Sequence, residues 1–81
     1  MTARVYVSLK STVLDPQGQA IQAALRGHGH PAVGDVRQGK FFDIQLSADL
    51  SREQVQQELE AIAGNVLANP VIEDYRVEIL G

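Results

Sequence analysis

The chain has no cysteine. That excludes disulfide staples, thiolate nucleophiles and cysteine-ligated metals, and it fits a reducing compartment. It has no excess of basic residues either: the formal net charge is −3 and the pI near 5.1. Nonspecific binding to nucleic acid or to an anionic membrane needs a basic surface, so both are disfavoured. No apolar run exceeds a few residues, too short to span a membrane. Met1-Thr2-Ala3-Arg4 leads directly into a strand pattern with no apolar signal region, and a cytoplasmic protein is expected. Aromatic residues make up only 5% of the chain, so where they fall carries information.

What is present suits one small domain over residues 1–81, with 44% apolar residues. In Arg4-Val5-Tyr6-Val7-Ser8-Leu9-Lys10 the apolar Val5, Val7 and Leu9 alternate with polar neighbours, which predicts a half-buried strand. Asp15-Pro16 is a helix start: Asp15 can cap free amides, and Pro16 suits the first helical position. Ala20, Ile21, Ala24 and Leu25 then form a narrow stripe, ended by Gly27 and Gly29. Residues 33–37 and 40–46 read as two strands joined by Gln38-Gly39, an antiparallel hairpin. A second helix opens on Ser51 with Gln54 as capping-box partner and Leu50–Val55 as hydrophobic staple. It continues through Leu59, Ile62 and Val66, weakened slightly at Gly64. Asn69, able to adopt a left-handed conformation, and Pro70 end it. Val71 and Ile72 open a last strand in which Tyr75, Val77 and Ile79 oppose Arg76 and Glu78. The order βαββαβ predicts an α+β, ferredoxin-like fold: a four-stranded antiparallel sheet with both helices on one face.

Such a sheet leaves its other face open. Arg4, Tyr6, Ser8, Lys10, Phe41, Asp43, Gln45, Arg76, Glu78 and Leu80 are expected there. Tyr6 and Phe41 fall on neighbouring strands and form an exposed patch suited to a second copy of the chain or another protein. RNA-recognition modules share this topology, but they stack bases on aromatics at alternating positions, whereas Phe41 and Phe42 are adjacent. Catalytic candidates are weak. His28 and His30 lie one residue apart in a glycine loop, with no third or fourth ligand at a recognised spacing. Adjacent strand residues face opposite sides, so Glu73 and Asp74 cannot share a proton. Ser8 and Ser11 have no identifiable base, and the glycines match no phosphate loop. No catalytic residue and no metal site is assigned.

Four blocks occur in order: Val5-Tyr6-Val7-Ser8-Leu9-Lys10, Val13-Leu14-Asp15-Pro16-Gln17-Gly18, Asp35-Val36-Arg37 with Gly39-Lys40, and Leu67-Ala68-Asn69-Pro70-Val71-Ile72-Glu73-Asp74-Tyr75. Together they resemble the PurS family, the small subunit of phosphoribosylformylglycinamidine (FGAM) synthase. The resemblance spans essentially the whole chain. It departs where family members carry Leu-Gly-aromatic after the first helix and this chain has His28-Gly29-His30.

The resemblance implies a non-catalytic subunit in de novo purine biosynthesis. It implies self-association, as a homodimer or higher, and bridging of a large synthetase subunit and a glutaminase subunit in support of ammonia transfer. ATP and Mg would be used by the synthetase, with no cofactor bound by this chain. Matching motif positions imply partner docking by Asp15, Pro16, Gly18, Arg37, Lys40, Asn69, Glu73 and Asp74, beside self-association through Tyr6 and Phe41. The alternative is a ferredoxin-like regulatory module binding a small molecule.

Overall fold

A computed structural model describes all 81 residues. The elements are β1 (Thr2–Leu9), α1 (Pro16–Gly27), β2 (Gly39–Gln45), α2 (Arg52–Ile62), a single π-helical turn (Ala63–Leu67) and β3 (Glu73–Ile79). The class is α+β. The three strands form one antiparallel sheet in the order β2-β1-β3. β1 is central because its alternation supplies an unbroken apolar face: Ala3, Val5 and Val7 are all buried. One end of the sheet is pinned on both sides of β1 by backbone bonds, Leu46 to Met1 on one side and Thr2 with Leu80 and Gly81 on the other.

α2 covers that face. Ser51 and Gln54 form the reciprocal capping box, with Oγ accepting from the Gln54 amide at 3.2 Å and Gln54 Oε1 accepting from the Ser51 amide at 2.9 Å. Val55 and Leu59 are buried against β1, and Leu50 packs on the same cluster. Val66 does not continue the stripe and is 75% exposed. The π turn is the reason. The Ala68 amide bonds to Ala63 O, five residues back, which rotates the helix face so that Ala63 and Ala68 turn inward instead. Asn69 ends the helix without a left-handed conformation, since no non-glycine residue has positive φ. Its side-chain oxygen accepts from the Val71 amide at 3.1 Å, a local turn that holds Val71 and Ile72 out of the strand, so β3 begins at Glu73.

α1 stands clear of the core. The apolar cluster and the half-buried residues packed on it include nothing between Ser8 and Phe41. α1 begins as expected, with Asp15 accepting from the Gly18 amide at 2.9 Å and Pro16 in the first turn. It ends in a Schellman motif: the His30 amide reaches Leu25 O, the Gly29 amide reaches Arg26 O, and Gly29 has φ +92. That motif uses only backbone groups of His28 and His30, so exchanging their side chains leaves the helix end intact.

The stretch 33–37, expected as the fourth strand, is not in the sheet. Gln38-Gly39 makes no hairpin turn, and residues 34–38 form no backbone–backbone hydrogen bond. Side chains hold this strap beside α1 instead. Gln22 donates to Gly34 O at 2.6 Å, Arg26 Nε to Val33 O at 2.9 Å, and the Gln38 amide to Asp15 at 2.8 Å. The result is an arm, a helix with an extended strap tied to it, carried at one end of the sheet. Overall extents are 51 × 26 × 14 Å.

Candidate functional site: the open sheet face and the arm root

The uncovered face of the sheet is built in rows across three strands. Register places Glu78, Arg4 and Asp43 in one row, Arg76, Tyr6 and Phe41 in the next, and Asp74, Ser8 and Gly39 in a third. The expected aromatic pair is therefore brought together. Tyr6 lies opposite Phe41 with ring centroids 6.2 Å apart and planes tilted by 50°. Each ring carries a guanidinium on its face: Arg76 Cζ is 4.1 Å from the Tyr6 centroid and Arg4 Cζ 4.4 Å from that of Phe41.

Those cations are also held by carboxylates. Arg4 Nε donates to Asp43 at 2.7 Å, and Arg76 Nη1 lies 3.4 Å from Glu78, which also accepts from the Tyr6 hydroxyl at 3.3 Å. The Asp43 hydrogen bond raises the Arg4 pKa further above its ordinary value, so the guanidinium keeps its charge. Phe41 remains 54% exposed. Along this face positive and negative groups alternate around an aromatic centre, a pattern that is complementary to itself and to a mixed-charge protein surface.

The second cluster is the root of the arm. The buried Asp15 carboxylate accepts from Gly18 with one oxygen and from Gln38 with the other. The Gln38 amide first, then that of Gly18, holds this carboxyl below the usual carboxylate range despite its burial. Arg37 Nη2 donates to Lys10 O and Val13 O, each at 2.8 Å. Gly18 is needed here because an added Cβ would overlap the Val36 carbonyl. Asp15, Pro16, Gly18 and Arg37 are thus brought together. Lys40 lies on β2 near the same root, its Nζ 5.6 Å from the Phe42 centroid.

The remaining docking candidates lie at the start of β3. Glu73 accepts from the Asn69 amide at 2.7 Å, while Asp74 lies 3.4 Å from Lys10 Nζ. His28 and His30 are both exposed in the loop after α1. Sequence reasoning missed Gln38 as a member of the root. Its amide meets Asp15 across 23 residues, and no local pattern encodes that contact.

Between the root and the sheet lies a shallow recess of about 250 Å³, touching Ser8, Asp15, Gln38, Lys40 and Glu73. Its polar lining and small size fall short of the enclosed apolar pockets that hold metabolites. The small-molecule alternative gains no support from it.

These features describe a small α+β module: a sheet face of paired charges and aromatics beside an arm whose side chains hold its own backbone. The chain belongs to the PurS family, described as phosphoribosylformylglycinamidine (FGAM) synthase, whose family model matches residues 2–81. It is 45% identical over 75 residues to the Mycobacterium leprae phosphoribosylformylglycinamidine synthase subunit PurS, covering 93% of this chain and 90% of that one. The solved structure of Bacillus subtilis PurS matches with a TM-score of 0.85 at 41% identity, over 99% of this chain and 98% of the other. A chain in the structure of PurLQS from Thermotoga maritima matches with a TM-score of 0.81 at 29% identity, over 98% of this chain and 95% of that one. PurS is a subunit of FGAM synthase in purine biosynthesis.

Proposed function

We propose that this chain is the non-catalytic assembly subunit of an FGAM synthase. It self-associates and bridges the synthetase and the glutaminase, so that ammonia released from glutamine reaches the synthetase in the cytoplasm without escaping. ATP and Mg are used by the synthetase, and this chain binds no cofactor. The observation that carries this reading is the family match over residues 2–81, in a chain whose sheet has an open face of paired charges and aromatics. A sequestered path matters chemically because ammonia is nucleophilic and ammonium is not, and water supplies the proton.

Tyr6 and Phe41 belong to the self-association surface. Asp15, Pro16, Gly18, Arg37 and Lys40 at the arm root, with Asn69, Glu73 and Asp74 at the start of β3, act in partner docking. For the first group, docking follows from the arm's position, since the root sets where the arm points.

The test is reconstitution with synthetase and glutaminase. Omitting this chain should abolish the glutamine-dependent rate and leave the ammonia-dependent rate of the synthetase. Equal rates from glutamine with and without the chain would refute the bridging role, and glutaminase or amidine-forming turnover by the chain alone would refute its non-catalytic character.

A further inference from the structure

The two groups of docking residues lie far apart in the sequence, at the arm root and at the start of β3, and one junction joins them. Nothing between Ser8 and Phe41 reaches the apolar cluster, so no packing against the core fixes the arm to the body. The Asp15 bonds to Gly18 and Gln38 close the root upon itself. The hydrogen bonds that leave residues 15–38 for the rest of the chain come from a single side chain. Arg37 is exposed, yet its Nη2 turns back to donate to Lys10 O and Val13 O, each at 2.8 Å. A guanidinium suits this task, because it keeps its charge and one of its terminal nitrogens can serve two carbonyls.

Lys10 carries the tie onward through its backbone. Its carbonyl also accepts from the Val13 amide at 2.9 Å, closing residues 10–13 into a turn, and its amide donates to Ile72 O at 2.8 Å. Ile72 in turn is held by Asn69, whose carbonyl accepts from the Ile72 amide at 3.1 Å and from the Glu73 amide at 2.7 Å. The Glu73 side chain returns the contact by accepting from the Asn69 amide at 2.7 Å. The line Arg37, Lys10, Ile72, Asn69 thus runs unbroken from the arm root to the start of β3. The Lys10–Asp74 ion pair lies alongside, but at 3.4 Å and with both side chains exposed it adds little.

We infer that Arg37 is a positioning residue for nitrogen transfer: through the backbone of Lys10 and Ile72 it locks the arm root and the turn at 69–74 into one body, so that partners docked on the two surfaces keep a fixed separation. This deepens the bridging role and rests on it. A bridge acts by geometry, and one hinged between its two docking surfaces would not hold two active sites in register.

Two experiments with the full chain test this. Arg37→Met keeps the length of the side chain and removes its donors. In the protein without partners, hydrogen-exchange protection of the Lys10, Ile72 and Glu73 amides should fall about tenfold, while that of Val5 and Leu59 holds as the sign of an intact core. Unchanged protection at those three amides overturns the inference, and a reduced rate in the complex would then make Arg37 a direct partner contact. The second experiment is a double-mutant cycle in the reconstituted complex, combining Arg37→Met with Asn69→Ala, which removes the oxygen that holds the Val71 amide. Each single variant should lower the glutamine-dependent rate about tenfold and raise the glutamine consumed per amidine formed. The double variant should lose no more than the worse single one, because both break the same junction. Losses that multiply mean two independent docking patches and overturn the inference. If omitting the wild-type chain leaves the glutamine-dependent rate unchanged, the bridging role falls and the junction with it. If omission abolishes that rate and neither variant lowers it, the junction alone is overturned.

Discussion

Asp15 shows how one side chain ties the start of α1 to the strap that follows it. As a helix cap it was legible in the sequence, because Asp-Pro before a periodic stretch has a local meaning. Its second bond, to Gln38, was not, because nothing near either residue announces a contact across 23 positions. The two bonds lower its pKa in the folded protein, so its contribution to holding the arm is complete above the ordinary carboxylate range and is lost as pH falls through the folded value. Protection of the Gly18 and Gln38 amides from hydrogen exchange, taken relative to the intrinsic rate at each pH, should therefore fall in acid while that of Val5 and Leu59 does not. Asp15→Asn should remove the pH dependence of the two arm amides. An unchanged profile would deny the carboxylate this role. Gly18→Ala should push the strap away from α1, with shift changes across 16–38 and a preserved β1–α2 core, since that core draws nothing from the arm.

Among the elements, α2 followed its sequence most closely at its start and least at its end. The capping box depends on residues three apart and was readable; Ser51→Ala should cost about 1 kcal/mol of stability in a urea titration. Leu59 is buried without residual exposure, and Leu59→Ala should cost about 2–5 kcal/mol by the same measurement. Val66 leaves the apolar stripe because a constant 3.6-residue period does not hold through a turn that has an extra residue. Gly64 sits in that turn with the Tyr75 ring 3.6 Å from where a Cβ would lie, an ordinary contact. Gly64→Ala should be tolerated and can raise stability by up to about 1 kcal/mol. A large loss would mean that the turn itself requires glycine.

For the whole molecule, shape is the informative quantity. Only nine of 81 residues are buried, so folding free energy is drawn from a thin core and assembly has much left to bury. The outer face should behave as a docking surface centred on its aromatic pair. Phe41→Ser should weaken self-association about tenfold, read as a shift in the concentration dependence of sedimentation, and leave the thermal midpoint of the dilute protein nearly unchanged. Equal association by the variant would remove Phe41 from the surface.

The sequence by itself determined the α+β class, the alternating strands, the capped helix starts and the meeting of Tyr6 with Phe41. The first three follow from side-chain periodicity or from chemistry within a few residues, where local preference and burial agree, and the last from the strand order that the βαββαβ succession implies. Only the tertiary structure decided where the arm goes. Residues 33–37 have a strand's composition, but a strand exists only when another backbone pairs with it, and here Asp15, Gln22, Arg26 and Arg37 hold the strap beside α1. A composition specifies the capacity to pair; the partner is chosen by contacts far apart in the chain.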